Sequence, residues 1–138
     1  MKTHELTGTA LDWAVAKCEG YTCLHKTEGR MPHEPQLVMW PPRKAYGLVD
    51  LWELGYSTDW SLAGPIIDRE DIAMSSKPDG LWSAYAPKGT RLVQHGGRAV
   101  EVFNWTFKQE GYTPLIAAMR CYVASKLGDE VELPEELK

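Results

Sequence analysis

Apolar residues recur with a helical period at two places in the 138-residue chain. Leu11, Ala14, Val15 and Cys18 fall at i, i+3, i+4 and i+7, one stripe of a helix over roughly residues 9–19. Thr7 or Thr9 offers an N-cap hydroxyl there, and Gly20 supplies a left-handed stop. Leu115, Ala118, Met119, Tyr122 and Val123 form a second stripe. Thr113 caps that helix, Pro114 takes its N1 position and Gly128 stands just past its end. Ser57, Thr58 and Asp59, three N-cap types in a row, predict a third helix across most of 60–70, with a kink or restart at Pro65.

Period-two patterns predict strands. Residues 81–86 follow the Pro78-Asp79-Gly80 turn, and residues 99–107 are rich in β-branched and aromatic side chains. In the latter Ala99, Glu101, Phe103, Trp105 and Phe107 share one face, and Val100, Val102, Asn104 and Thr106 share the other. Residues 87–98, with Gly89, Gly96 and Gly97, read as a hairpin loop, and 72–74 as a third strand. Pro32, Pro35, Pro41 and Pro42 forbid a continuous helix over 21–47, where 36–40 reads as an edge strand. Residues 47–55 suit helix and strand equally. The expectation is one α+β domain over 1–138: a small antiparallel sheet with helices packed on it, an α/β/α sandwich-like arrangement. Residues 21–55 form a variable insertion or flap, and 129–138 an acidic tail.

Composition narrows the class. Hydrophobic residues make up 43% and charged residues 25%, ordinary for a globular protein and too apolar for a disordered chain. No apolar run approaches the roughly 20 residues of a membrane helix, and residues 1–6 lack the apolar core of a signal peptide. Cys18, Cys23 and Cys121 are odd in number and too few for a disulfide framework, which points to a reducing compartment. The net charge of −4 sits in residues 127–138, where five carboxylates face one lysine, leaving 1–126 balanced. A neutral body has no general pull on nucleic acid, although a local pocket for one small anion remains open.

Catalytic and cofactor signatures are sparse. Cys18, Cys23 and His25 give an irregular C-x4-C-x-H with His33 beyond, but Cys18 lies on the helical stripe and Cys121 inside the last helix. Buried thiols acting as small hydrophobes account for this pattern, and no metal or cofactor is expected. No nucleophile elbow, dinucleotide fingerprint or P-loop occurs. His95 falls at a loop tip, Gly96-Gly97-Arg98 is a weak candidate for an anion nest, and Asp68, Glu70 and Asp71 suit a solvated helix end.

The aromatic inventory is the unusual feature. Six Trp and six Tyr stand against two Phe. Indoles and phenols combine a stacking face with a hydrogen-bonding group, which suits ligand pockets and interfaces. Tyr56, Ser57, Thr58, Asp59 and Trp60 gather at a helix N-terminus, where unpaired N–H groups favour anions. These five, with Arg69 or Arg120 reading an anionic group, are the candidate ligand-binding residues. Helix capping, with Trp60 anchored in the core, accounts for the Ser, Thr and Asp of the cluster without a ligand and is the plainer reading. Non-enzymatic binding of a small nucleotide-like host molecule or a host protein is the leading functional expectation. A small nucleotide-acting enzyme using Asp59 or Glu70 as base is one alternative. A docking module, including one that forms homo-oligomers, is the other.

Three segments, residues 5–20, 56–70 and 113–128, resemble the NinX-like proteins of lambdoid phages and prophages. They are more distantly similar to phage ABA sandwich domains, whose name describes α/β/α layering. The resemblance implies a phage or prophage accessory protein in the host cytoplasm, and counter-defence by capture of a nucleotide-derived signal follows as an expectation. It implies no activity, cofactor or catalytic residue.

Overall fold

The computed structural model describes residues 1–25, 37–40 and 49–138. Its three α-helices are α1 (Gly8–Cys18), α2 (Trp60–Arg69) and α3 (Pro114–Leu127). Its strands are β1 (Thr22–His25), β2 (Leu37–Trp40), β3 (Val49–Asp50), β4 (Ala73–Ser76), β5 (Trp82–His95) and β6 (Arg98–Gly111). β4-β5-β6 is one antiparallel sheet and β1-β2-β3 a second, smaller one. The architecture is α+β.

α3 is the centre of the molecule. The Thr113 side chain accepts the Ile116 N–H at 3.1 Å, Pro114 occupies the first turn, and Gly128 at φ 86° ends the helix. Leu115 and Ala117–Ala124 are all buried, so the helix is enclosed on nearly every side, beyond the single stripe that its apolar spacing predicts. One side lies against β5 and β6 and another against α1 and α2. Ala117 and Ala118 share one core with Ala84 and Ala86 of the sheet, and side chains this small leave room for the close approach.

α1 begins after Thr7, whose hydroxyl makes no capping bond, and stops at Gly20 with φ 96°. α2 is capped by Asp59, which accepts the Ser61 N–H at 2.9 Å. The helix passes through Pro65 without restarting. Both Ser61 and Pro65 are exposed, so water can serve the carbonyl that proline leaves without a donor.

The hairpin departs furthest from expectation. Strands β5 and β6 run on through most of the segment expected to be loop and close in a two-residue turn at Gly96-Gly97. Both glycines have positive φ (59° and 80°), the geometry whose twist matches the flanking strands. Register shifts interrupt the ladder between Ala86 and Pro87 and between Pro87 and Thr90, with Gly89 at φ 75° inside the second. β2 pairs on both sides, so it is central rather than an edge. The 47–55 segment divides into β3 and a 3-10 turn at Leu51–Glu53. Residues 26–36 and 41–48 of the expected flap lie outside the described residues. The chain ends are tied together: Thr3 N–H donates to the Asp129 carbonyl and Val131 N–H to that of Met1, each at 2.8 Å.

Two glycines give opposite expectations. A Cβ at Gly111 would lie 2.8 Å from both the Ala117 nitrogen and Ile116 Cγ2, whereas one at Gly64 meets nothing within 4 Å. Gly111→Ala should therefore cost about 1–3 kcal/mol, and Gly64→Ala should stabilise by about 0.5–1 kcal/mol. Urea denaturation of both variants checks the pair; a Gly111→Ala as stable as wild type refutes the packing assignment.

Candidate functional site

The 56–60 cluster divides between core and surface. Tyr56 and Ser57 are buried, whereas Thr58, Asp59 and Trp60 are exposed, Trp60 by 52%. The Ser57 N–H donates to Asp12 Oδ1 at 2.7 Å, joining α1 to the entry of α2. The Ser57 hydroxyl is itself enclosed without a hydrogen-bond partner. Burial raises the Asp12 carboxyl above its ordinary value. Asp59 is the reverse case: its bonds to the hydroxyl and N–H of Ser61 hold its carboxyl below the ordinary range. The Thr58 hydroxyl reaches back to the Gly55 carbonyl at 3.4 Å.

Arg69 lies at the far end of α2, about 14 Å along the axis from Trp60 at 1.5 Å per residue. It forms a two-pronged pair with Glu19, at 3.2 and 2.6 Å, and donates to the Tyr122 hydroxyl at 3.2 Å. Tyr122 in turn donates to Glu19 at 2.6 Å. Tyr56 joins the same neighbourhood: burial first, then the nearby Tyr21 and Glu19, raises its phenol well above the ordinary value. This cluster ties α1, α2 and α3 together, and Glu19 already occupies the guanidinium that would read an anion.

Arg120 is elsewhere. Residues two apart on a helix project about 200° apart, so Arg120 and Tyr122 leave α3 in nearly opposite directions. Arg120 is 8% exposed. Its Nε donates to the Leu6 carbonyl and its Nη1 to the Glu110 carbonyl, both at 2.8 Å. Among the described residues no carboxylate lies within ion-pair distance of it. Burial lowers its pKa, yet a guanidinium stays charged far above neutral pH. A fixed, buried cation without a counter-ion is costly, and an anion within reach of Nη2 would offset that cost.

A cavity of about 600 Å³ opens at this arginine, lined also by His4, Lys108, Glu110, Gly111 and Tyr112. Glu110 is engaged by Lys77 at 2.9 Å. Lys108 lies 3.9 Å from the same carboxylate and 5.8 Å from the Tyr85 ring. Tyr112, 78% exposed, presents its ring beside the cavity. The arrangement suits a small anion bearing a planar group: a guanidinium fork and an ammonium for charge, and a phenol for stacking.

Of the seven sequence candidates, the structure brings Tyr56 and Arg69 into one neighbourhood, leaves Ser57 to Trp60 at the α2 N-terminus, and sets Arg120 apart with partners that sequence reasoning missed. The one available signal was Arg120 itself, the sole charged residue in 115–124. The aromatic surplus also divides: Trp13, Tyr56 and Tyr122 are buried, whereas Trp60, Trp105 and Tyr112 are exposed. Gly96-Gly97 serves as the hairpin turn and Arg98 opens β6. Cys18 and Cys121 are thiols that burial pushes up to about 12, which makes them poor nucleophiles at neutral pH. Among the described residues no group of three or more His, Cys, Asp or Glu could hold a metal ion, and no helix is long and apolar enough to cross a membrane.

The family model described as Bacteriophage P22, NinX matches residues 2–126. No curated protein matches the chain.

Asp12 yields a pH expectation. A carboxyl whose folded pKa is raised gives stability that is complete below its ordinary value of 3.8 and lost as pH rises through the raised value. Asp12→Asn keeps an acceptor for the Ser57 N–H and has no charge to bury. Its stability relative to wild type should therefore rise from pH 3.5 to pH 7. Parallel denaturation curves across that interval would contradict the assignment.

Proposed function

The chain belongs to the bacteriophage P22 NinX family and is a phage accessory protein; from that premise we propose that it acts in the host cytoplasm by non-enzymatic capture of a small nucleotide-like anion. The observation that carries the reading is Arg120, a buried guanidinium fixed by two backbone carbonyls and lacking a carboxylate partner among the described residues, at the wall of a cavity of about 600 Å³. A phosphate facing Nη2 supplies the missing charge. Lys108 and His4 line the same cavity, and the exposed Tyr112 ring offers a surface for a base. Sequestering a nucleotide-derived host signal in this way would serve counter-defence.

Binding is favoured over turnover by the state of the two acids considered as bases. Asp59 is exposed, caps a helix and is held below the ordinary carboxylate range, which makes it a weak base at neutral pH. Glu70 is paired with Lys126 at 3.0 Å.

The test titrates the purified protein with nucleoside mono- and diphosphates, cyclic nucleotides and inorganic phosphate, following thermal stability and heat of binding. Ligand at a hundred times its dissociation constant stabilises by about 2.7 kcal/mol. Lys108→Ala and Tyr112→Ala, both at exposed positions, should each weaken binding about tenfold, with Arg69→Ala as the control that leaves affinity unchanged. Failure of every anion to shift stability rejects the reading, and consumption of the ligand replaces it with the enzymatic one.

A further inference from the structure

A second feature stands apart from the cavity. Residues 88–106 of the β5/β6 hairpin are exposed apart from a half-buried Val102. β4 pairs only with 82–85 of β5, so beyond that point the structure is a two-stranded ribbon. β6 has no second neighbour among the described strands. A two-stranded ribbon is marginal in water by itself, and an open edge is a template for another strand. One face carries Leu92 at 73% exposure, with Phe103 and Trp105 in edge-to-face contact, their centroids 5.3 Å apart.

We infer that the open edge of β6 pairs with β6 of a second copy of this chain, antiparallel about a two-fold axis at Asn104. The two-residue turn makes His95 and Arg98 a hydrogen-bonded pair, so Arg98, Val100 and Val102 turn their backbone groups toward β5. Over the regular ladder, Ala99, Glu101 and Phe103 therefore turn theirs to the open edge, and Trp105 stands next in the same alternation of β6. A two-fold axis normal to the sheet pairs residues of like parity, which leaves few registers. Centring on Glu101 sets two carboxylates opposite each other, a destabilising arrangement. Centring on Phe103 sets Glu101 against Trp105. Centring on Asn104 sets Phe103 opposite Trp105 twice, collecting four rings on one face with no like charges opposed over the central residues. The edge is complementary to itself, as a two-fold interface requires.

Sedimentation equilibrium of the full chain over rising concentration should show a reversible dimer, and Trp105→Ser should raise its dissociation constant at least about tenfold. Both Trp105 and Asn104 are exposed, so the body folds in either variant, which circular dichroism verifies. Position 104 faces its own copy across about 4.5 Å of Cα separation, within disulfide reach. Mild oxidation of Asn104→Cys should therefore give a covalent dimer well above the wild-type background, whereas Leu92→Cys, on the other strand, should not. A chain that stays monomeric at every concentration overturns the proposal. So does a dimer that Trp105→Ser leaves unchanged, or equal cross-linking at 104 and 92.

Discussion

Arg120 ties together parts of the chain that lie far apart in sequence. From the middle of α3 it grips the carbonyl of Leu6, just before α1, and that of Glu110, at the end of β6. Those two carbonyls need donors where water is largely excluded, and a charged donor serves them better than a neutral one. The cost is a cation inside the fold. Satisfying the carbonyls uses two of the guanidinium nitrogens, and the arginine also lines a cavity. Structural role and candidate site therefore share one residue.

Around that anchor the body is built for rigidity. α3 is enclosed by the sheet on one side and α1 and α2 on the other, and small residues along it let the layers approach. Glu19, Arg69 and Tyr122 fasten the three helices at the opposite side of α3 from Arg120. The cavity draws Arg120 from that helix and most of its other lining from the end of β6. The outer part of the hairpin, residues 88–106, follows different rules: it is exposed apart from a half-buried Val102. The molecule thus presents a cavity at the end of β6 and, among the described strands, an open edge further along it, one suited to a small anion and the other to a strand.

Local chemistry made the helices legible. Thr113, Pro114 and Gly128 set the limits of α3 because capping and left-handed termination are decided within a few residues. The Asp59 cap was legible for the same reason, and so was the exposure of part of the aromatic surplus, since twelve Trp and Tyr residues exceed what a core of this size encloses. The hairpin was less so: Gly89 and Gly96-Gly97 all resemble loop, and only pairing with β6 shows that the first lies at a bulge and the other two form the turn.

Site residues follow the same division. Capping ability and aromatic content are local properties, so the residues at 56–60 stood out along the chain. Whether Arg69 is free depends on Glu19, and whether Arg120 is paired depends on Leu6 and Glu110, all distant in sequence. His4, Lys108 and Tyr112 carry no mark of their own. They gather around Arg120 because the end of β6 and the N-terminal turn close on the same side of α3, an arrangement that follows from packing, since electrostatic pairing acts through space and not along the backbone.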